Sequence, residues 1–511
     1  MDRNHTNTFN LWDLFFNRSI QKGVGKIKVA ISYPPIESQK GIPLISQNRQ
    51  FQFFNQPTYI YPCVPAYAAT LLDQAGHEII WDDGIAEEKS YEIWLKDFER
   101  RSPDLVMIET KTPVVKKHWR ITEDIKRVSS ETKVVLVGDH VTALPEESFH
   151  NSRVDFVLTG GDYDFLLLNL VKWLEGAEKL GGGIWYREDG KIRETGKFQL
   201  DHDLNSLPFI DRDLTRWELY SKKNGNFKRV PGVYTMTGRD CWWHRCAFCS
   251  WTTLYPTCRN RSPELLADEI GFLIEKYGVK TVFDDAGTFP VGNWLKKFCE
   301  LMIERGYDRE IDFGCNMRFG ACSFADYELM KRAGFRMVLF GLESASQDTL
   351  DKIDKNLRIC QIKDSSKEAK QAGLEPHLTI MLGYPWEDRE DAFKTFDLAK
   401  DLFEKGYADT LQATMVIPYP GTPLFEECKR NGLLVTEDWD EYDMRKLVMK
   451  TPLDEEDVKE ITQKMYRLFF NPSYVIRKFA GIRSFEDMQF ILKGTKKVFG
   501  HIKDFSVGEG Q

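Results

Sequence analysis

Short apolar runs recur along the first third of the chain, separated by segments in which apolar positions follow a helical period. The runs cover residues 26–33, 77–81, 104–108, 133–137 and 154–158. The clearest helical segments cover 66–75, 90–100 and 118–128. Alternating strands and helices predict a parallel sheet. Five strands within about 130 residues favour a doubly wound, Rossmann-like sheet, in which ligands bind beyond the carboxyl ends of the strands.

The pattern changes after this region. Three consecutive glycines at 181–183 precede a segment with an Asp189-Gly190 turn, which is typical of a β-hairpin. An extended segment follows at 203–208. We therefore predict a leader over 1–25, a first domain over 26–178, and a hairpin and linker over 179–228.

A second series of apolar runs begins near residue 233. Strands are predicted at 233–236, 281–284, 311–315, 337–341, 377–381 and 411–417, and the clearest helices between them at 264–277, 293–305 and 391–404. Six such units predict a partial (β/α)6 barrel over 229–432, with its site at the carboxyl ends of the strands. Residues 433–511 are predicted to form a small helical region.

Composition limits the class of protein. With 42% hydrophobic and 29% charged residues, the 511-residue chain is expected to fold into globular domains. A net charge of −8 argues against nucleic-acid binding driven by overall charge. Neither a membrane-spanning run nor a secretory signal is evident, so we expect a cytoplasmic protein. The segment 461–511 is locally basic, and its interleaved aromatic and basic residues at 465–478 suit contact with a membrane surface. A helix packed on the barrel with solvated lysines is the structural alternative.

Three of the ten cysteines, Cys241, Cys246 and Cys249, lie within nine residues directly after the first predicted barrel strand. Three thiolates on one loop can hold three irons of a cubane cluster and leave the fourth iron open for another ligand. A structural zinc site that uses Cys258 as a fourth ligand is an alternative, although no second Cys-x2-Cys pair is present. Unliganded thiols are a third interpretation.

This cysteine loop resembles that of the radical S-adenosylmethionine (SAM) enzymes, which bind a [4Fe-4S] cluster ahead of a partial barrel. The family's usual spacing is Cys-x3-Cys-x2-Cys, whereas this loop has four residues in the first interval. Phe248, directly before the last cysteine, matches the family's aromatic position. The resemblance implies a [4Fe-4S] cluster at these cysteines and SAM as a cofactor, with Phe248 beside it.

The resemblance also implies SAM contacts at the ends of later barrel strands. The residues that the resemblance implies as SAM contacts are Asp284, Asp285, Asn316, Arg318, Gly341 and Glu343. Carboxylates can bind an ammonium group, a guanidinium can bind a carboxylate, and a glycine allows close approach of the backbone. Helix capping by the aspartates and a first-turn acid at Glu343 are the ordinary structural alternatives.

A doubly wound domain before such a barrel resembles the cobalamin-binding domain of the cobalamin-dependent radical SAM subfamily. The resemblance implies cobalamin contacts at Gly138, Asp139, His140, Thr142, Gly160 and Gly161. No Asp-x-His-x-x-Gly motif occurs, so a histidine ligand to cobalt is not indicated. A turn in which His140 only caps the backbone is the structural alternative, as is a sheet that binds nothing.

Together these features favour a cobalamin-dependent radical SAM enzyme that generates a 5′-deoxyadenosyl radical and methylates an unactivated carbon. The family resemblance implies a flavodoxin or ferredoxin as the electron donor and a small-molecule or lipid-like substrate. A radical cyclase or rearrangement enzyme acting on a hydrophobic, lipid or tetrapyrrole-like substrate is the alternative within enzymes. A non-catalytic cobalamin or iron-sulfur sensor is the alternative outside them. No catalytic base is identified from the sequence.

Overall fold

The structure, a computed structural model, describes residues 26–45, 51–55, 57–239 and 241–504. Two parallel sheets follow each other along the chain, and a group of helices follows the second sheet. This confirms the predicted mixed α/β class with a Rossmann-like domain before a partial barrel. The predicted leader over 1–25 lies outside the described residues.

The first sheet contains seven strands in the order β4-β1-β5-β6-β7-β8-β9. These are β1 (Lys28–Tyr33), β4 (Glu78–Asp83), β5 (Leu105–Glu109), β6 (Lys133–Val137), β7 (Phe156–Leu158), β8 (Ile184–Glu188) and β9 (Lys191–Glu194). Its helices are α1 (Cys63–Gln74), α2 (Tyr91–Arg101), α3 (Val115–Val128), α4 (Asp139–Ala143), α5 (Pro145–Asn151) and α6 (Tyr163–Leu174). The first five strands along the chain are parallel, and the strand order changes direction between β1 and β5.

One hairpin extends this sheet, and a second hairpin forms a separate two-stranded sheet. The hairpin predicted at the Asp189-Gly190 turn is formed by β8 and β9, and it pairs antiparallel to β7. It therefore extends the first sheet instead of serving only as a connection. A second hairpin, β2 (Ile42–Leu44) with β3 (Gln52–Phe54), was not predicted, because its three-residue strands are too short to give a periodic signal.

The second sheet has six parallel strands that follow chain order. They are β10 (Gly232–Thr235), β13 (Thr281–Asp284), β14 (Asp312–Met317), β15 (Phe335–Glu343), β16 (Glu375–Leu382) and β17 (Thr410–Met415); a short ladder of β11 (Gly238–Arg239) with β12 (Arg259–Asn260) follows β10. The helices are α7 (Trp251–Leu254), α8 (Pro263–Tyr277), α9 (Asn293–Glu304), α10 (Phe324–Arg332), α11 (Gln347–Lys352), α12 (Ile359–Gln371), α13 (Arg389–Glu404) and α14 (Pro423–Arg430). The described strands β10 and β17 do not pair, so the barrel is open on one side.

Local sequence explains where the barrel helices begin and end. In α8, the Ser262 hydroxyl accepts a hydrogen bond from the Leu265 N–H, and Pro263 occupies the first turn. The helix ends at Gly278, whose φ of +60° is left-handed and suits glycine. These signals fix where α8 ends, and therefore where β13 begins. The carboxyl end of β13 then lies at the barrel face.

The C-terminal region consists of α15 (Glu455–Arg467), α16 (Pro472–Ala480) and α17 (Phe485–Asp504). Tyr466 of α15 bonds to the backbone of Ala413 in β17, and its ring stacks on His501 of α17 at 5.0 Å. These helices therefore lie along the open edge of the barrel. None of the described helices is both long and apolar enough to cross a bilayer.

A buried charge cluster joins the two sheets. Arg239 donates hydrogen bonds to Asp164, and its Nη1 also lies 2.8 Å from Asp162 Oδ1. Arg259 also pairs with Asp162, at 2.7 and 2.8 Å. Asp162 and Asp164 open the last helix of the first sheet's α/β core, whereas the arginines belong to the β11/β12 ladder beside the cysteine loop.

Candidate functional site

One cavity of about 1290 Å³ lies at the carboxyl ends of the barrel strands and extends into the barrel. All three cysteines of the predicted cluster loop line it. Inward side chains of β15, β16 and β17 continue its wall, among them Leu339, Thr379 and Gln412. The predicted location of the site at this face is therefore where the structure has its large cavity.

The cysteine loop is held by the barrel turns on either side. The Ala247 N–H donates to the Ile353 carbonyl at 3.0 Å, and the Ala247 carbonyl accepts from the Leu424 N–H at 2.9 Å. The Trp243 indole donates to the Asp354 carbonyl at 2.6 Å. These contacts fix the loop over the ends of the strands, with its thiols toward the cavity.

The arrangement of the thiols bears on which metal they could hold. In the part of the chain that the structure describes, no three Cys, His, Asp or Glu side chains converge as ligands of one metal ion. A cubane cluster, by contrast, binds each cysteine to a different iron. Cys258, the fourth ligand of the zinc interpretation, does not line the cavity with the three loop cysteines.

The two adjacent aspartates have different roles. Asp284 is fully buried and accepts hydrogen bonds from Thr235 and from the hydroxyl and N–H of Thr237, at 2.7 to 2.9 Å. Burial raises the pKa of Asp284. It ties the ends of β10 and β13 together and does not line the cavity, contrary to the SAM contact expected there. Asp285 does line the cavity.

Asn316 and Arg318, at the end of β14, both line the cavity as expected. The Asn316 amide donates to the Ala286 carbonyl at 2.9 Å. The Arg318 guanidinium stacks on the rings of Trp242 and Trp243, at 5.3 and 4.7 Å, and its buried Nε has no hydrogen-bond partner among the described residues. Such a buried donor can accommodate an anionic group of a ligand.

Gly341 and Glu343, at the end of β15, lie beside a residue that sequence reasoning missed. Glu343 Oε1 pairs with Lys355 Nζ at 2.7 Å, and both side chains are buried and line the cavity. A Cβ on Gly341 would lie 2.4 Å from that carboxylate oxygen and 2.7 Å from that ammonium. Lys355 lies between Asp354 and Asn356, both at positive φ, and this turn was the available signal.

Phe248 also lines the cavity, so six of the seven predicted SAM residues meet there with the cysteines. The Lys355 ammonium lies 6.0 Å from the Phe248 ring centre. Cationic and anionic side chains thus alternate around one wall beside the thiols. A zwitterionic ligand with an ammonium and a carboxylate is complementary to such a wall.

The residues predicted to bind cobalamin lie together near the ends of β6 and β7, but none lines the cavity. His140 is fully buried; its ring bonds to Thr112 and Glu147, at 3.1 and 3.0 Å. Space in front of Gly160 and Gly161 is filled by the rings of Phe198 and Tyr255, which an added Cβ would meet at 2.5 and 1.9 Å. At Gly160 and Gly161, these two rings occupy the space that a bound corrinoid would need.

The point where strand order reverses is closed in the same way. Tyr33, at the end of β1, donates a hydrogen bond to Glu109, at the end of β5. Tyr163 is buried beside them, and burial followed by the Glu109 charge raises its pKa. The crevice in which open α/β sheets commonly bind ligands is therefore filled with side chains here.

The barrel and its cysteine loop define the class of domain. Residues 237–399 match the model of the radical SAM superfamily. The chain therefore carries a radical SAM domain, which begins just before the cysteine loop.

Curated relatives extend over more of the chain. An uncharacterized methyltransferase of Pyrococcus horikoshii is 29% identical over 84% of this chain and 91% of its own length. The anaerobic magnesium-protoporphyrin IX monomethyl ester cyclase of Cereibacter sphaeroides is 26% identical over 72% of this chain and 60% of its own length. The relatives thus carry names of both methyltransferases and a cyclase.

Solved structures show the same two-domain fold. The cobalamin-dependent SAM radical enzyme OxsB, with aqua-cobalamin and SAM bound, superimposes with a TM-score of 0.67 over 93% of this chain and 72% of its own, at 14% identity. The radical SAM methyltransferase TsrM from Kitasatospora setae, with cobalamin and a [4Fe-4S] cluster bound, gives 0.66 over 92% and 100%, at 14% identity. The fold is that of cobalamin-dependent radical SAM enzymes.

Proposed function

We propose that this protein cleaves one SAM reductively at a [4Fe-4S] cluster bound by Cys241, Cys246 and Cys249, and that a second SAM supplies the methyl group that is transferred to a substrate carbon. The observation that carries the proposal is the shared cavity: three thiols on one loop face the same space as Arg318 and the Glu343–Lys355 pair. A cluster and a zwitterionic cofactor would each find matching groups there.

When bound, the reduced cluster and SAM supply a carbon-centred 5′-deoxyadenosyl radical, a reagent that no side chain provides. This chain's own residues would position the reactants. Arg318 would take the SAM carboxylate with its unpaired Nε, and Glu343 would take the ammonium. Trp242 and Trp243 cover the guanidinium from the other side and keep water from it.

A carrier of the methyl group would need a binding site of its own. Related structures hold cobalamin, whereas two of the glycines expected to contact it here, Gly160 and Gly161, are packed against aromatic rings. A corrinoid tail at Gly161 would require the Tyr255 ring to move. We therefore expect Tyr255→Ala to retain more corrinoid than wild type after anaerobic purification with hydroxocobalamin; equal retention would place the carrier elsewhere.

The decisive experiment compares wild type with Cys246→Ala and Cys258→Ala, each purified and reconstituted anaerobically. Wild type and Cys258→Ala should contain about four iron and four sulfide per chain and release 5′-deoxyadenosine from SAM with dithionite. Cys246→Ala should lose both properties. Cys258 is the matched control because it lies near the loop but outside the cavity. One zinc per chain without iron would refute the proposal.

The cyclase alternative is favoured by one observation, the similarity to the magnesium-protoporphyrin ester cyclase. Methyl-labelled SAM separates the two reactions, because only a methyltransferase places the label in the product. A sensor would hold the cluster and SAM without forming 5′-deoxyadenosine. We also propose a flavodoxin or ferredoxin as electron donor, which substitution for dithionite would test.

Peripheral membrane contact is a further part of the proposal. The large apolar side chains Ile476, Phe479, Phe485 and Leu492 of α16 and α17 are 58 to 67% exposed. Lysines and arginines are interspersed with them. Sedimentation with vesicles of anionic phospholipid should bring down the wild type, whereas neutral vesicles should not. No sedimentation with either would refute the contact.

A further inference from the structure

Lys497, on the inner side of α17, lies in the cavity wall and forms no ion pair with the residues that the structure describes. Its Nζ lines the same cavity as the cysteines and donates a hydrogen bond to Thr58 Oγ1 at 2.8 Å. No carboxylate of the described residues lies within ion-pair distance of it. By contrast, the acids lining the cavity include Glu343, paired with Lys355, and Glu375, paired with Arg336. Glu88, which also lines the cavity, is paired with Lys223.

The Lys497 ammonium lies in surroundings where an approaching anion would stabilise it. Burial, with the like charge of Lys493, lowers the pKa of Lys497 to about 8. A partly desolvated cation of this kind is stabilised when an anion approaches it. Its neighbour one residue earlier, Lys496, is exposed.

The structure leaves room for that anion. Gly494, one helical turn before Lys497 and also on the cavity wall, has nothing within 4 Å of an added Cβ. Gly225, by contrast, packs closely against the ammonium, since an added Cβ there would lie 3.1 Å from Nζ. The open space beside the charged donor therefore lies on the Gly494 side.

The available donors indicate which anion fits. The flanking amides of Asn224 and Asn226 are already committed, the first to the Tyr59 carbonyl and the second to the Tyr234 hydroxyl. The Lys497 ammonium and the Thr58 hydroxyl can both bind one carboxylate, and Lys493, which also lines the cavity, adds a second positive charge nearby. Apolar side chains also line this cavity, including Phe54, Ile60, Leu339, Met381 and Val498.

We propose that the substrate is an elongated apolar molecule with a carboxylate, and that Lys497 and Thr58 bind this carboxylate while the apolar body extends toward the cysteine loop. This inference rests on the proposed function, since it names the substrate class of that same cavity. It assigns α17 a part in substrate recognition in addition to packing along the barrel's open edge.

The test uses cis-parinaric acid and its methyl ester as fluorescent probes of the reconstituted holoenzyme, titrated anaerobically at pH 7. The two probes share one apolar body and differ only in the charge. Wild type should bind the acid more tightly than the ester. Lys497→Met should bind the acid about tenfold more weakly and the ester unchanged, as expected for a lost charge-assisted hydrogen bond.

Two variants guard against misinterpretation. Lys496→Met, one residue away on the exposed side, should bind both probes like wild type. Lys497→Arg keeps the charge and should retain most of the preference, which also serves if the methionine variant fails to fold. Equal binding of the acid by wild type and Lys497→Met, no preference for the acid in wild type, or no binding of either probe overturns the inference.

The outcome is distinguishable from that of the proposed function. Release of 5′-deoxyadenosine is measured on the same wild-type sample. Cleavage of SAM without a Lys497-dependent preference for the acid would overturn the carboxylate site alone. A Lys497-dependent preference without cleavage would refute the radical chemistry and leave the binding site.

Discussion

Removal of Arg239 offers a quantitative test of how the two domains are held together. Its guanidinium is 2% exposed and bonds to Asp162 and Asp164, which are 1% and 0% exposed. In Arg239→Met, Arg259 still neutralises Asp162, but Asp164 becomes a buried carboxylate without a cation. Breaking a buried pair in this way costs about 3–5 kcal/mol. We therefore expect a loss of that size in the free energy of unfolding.

Urea denaturation at pH 7, followed by tryptophan fluorescence under anaerobic conditions, measures this loss. The control is Arg245→Gln. Arg245 lies in the cysteine loop and pairs with Asp354, and this ion pair is exposed. Exposed pairs contribute about 0–1 kcal/mol. Arg239→Met combined with Asp164→Leu should recover part of the stability, since no buried charge remains unpaired. A loss below about 1 kcal/mol in Arg239→Met would refute the argument.

Two further predictions concern the barrel face. Burial raises the pKa of Glu387 to about 8, so the folded state holds a proton that the unfolded state releases near pH 4.5. The stability of the folded state should therefore fall as pH rises from about 4.5 to 8. In thermal melts, Glu387→Gln should show a smaller fall over this range than wild type. The same dependence of stability on pH in both proteins would contradict the prediction. Gly341→Ala should weaken SAM binding, measured by anaerobic calorimetry, because the added Cβ displaces the Glu343–Lys355 pair. Gly494→Ala, which has open space around it, should leave SAM binding unchanged. An unchanged affinity in Gly341→Ala would contradict the role of the pair.

The order of elements could be predicted because it follows from local periodicity. Five parallel strands of the first sheet and six of the barrel lie close to the predicted positions. The unpredicted hairpin of β2 and β3 illustrates the limit: three-residue strands carry no period, and their pairing depends on contacts such as that of Gln52 with Gln412, 360 residues away.

Within the site, sequence spacing was enough to place the three cysteines on one loop, since residues 241 to 249 cannot lie far apart. The roles of adjacent residues could not be separated in this way. Asp284 and Asp285 differ only in which side of a strand end they occupy, and alternation along the strand sends one into the core and the other to the cavity.

The amino-acid sequence by itself determined the α/β class, the two-domain order and the cluster loop, because each depends on neighbours along the chain. Only the tertiary structure decided that Lys355 lies in the cavity wall beside Glu343, that Phe198 and Tyr255 fill the glycine positions, and that Lys497 lines the cavity. Those contacts join segments from 12 to 439 residues apart. Their formation depends on the packing of whole elements, which no local pattern encodes.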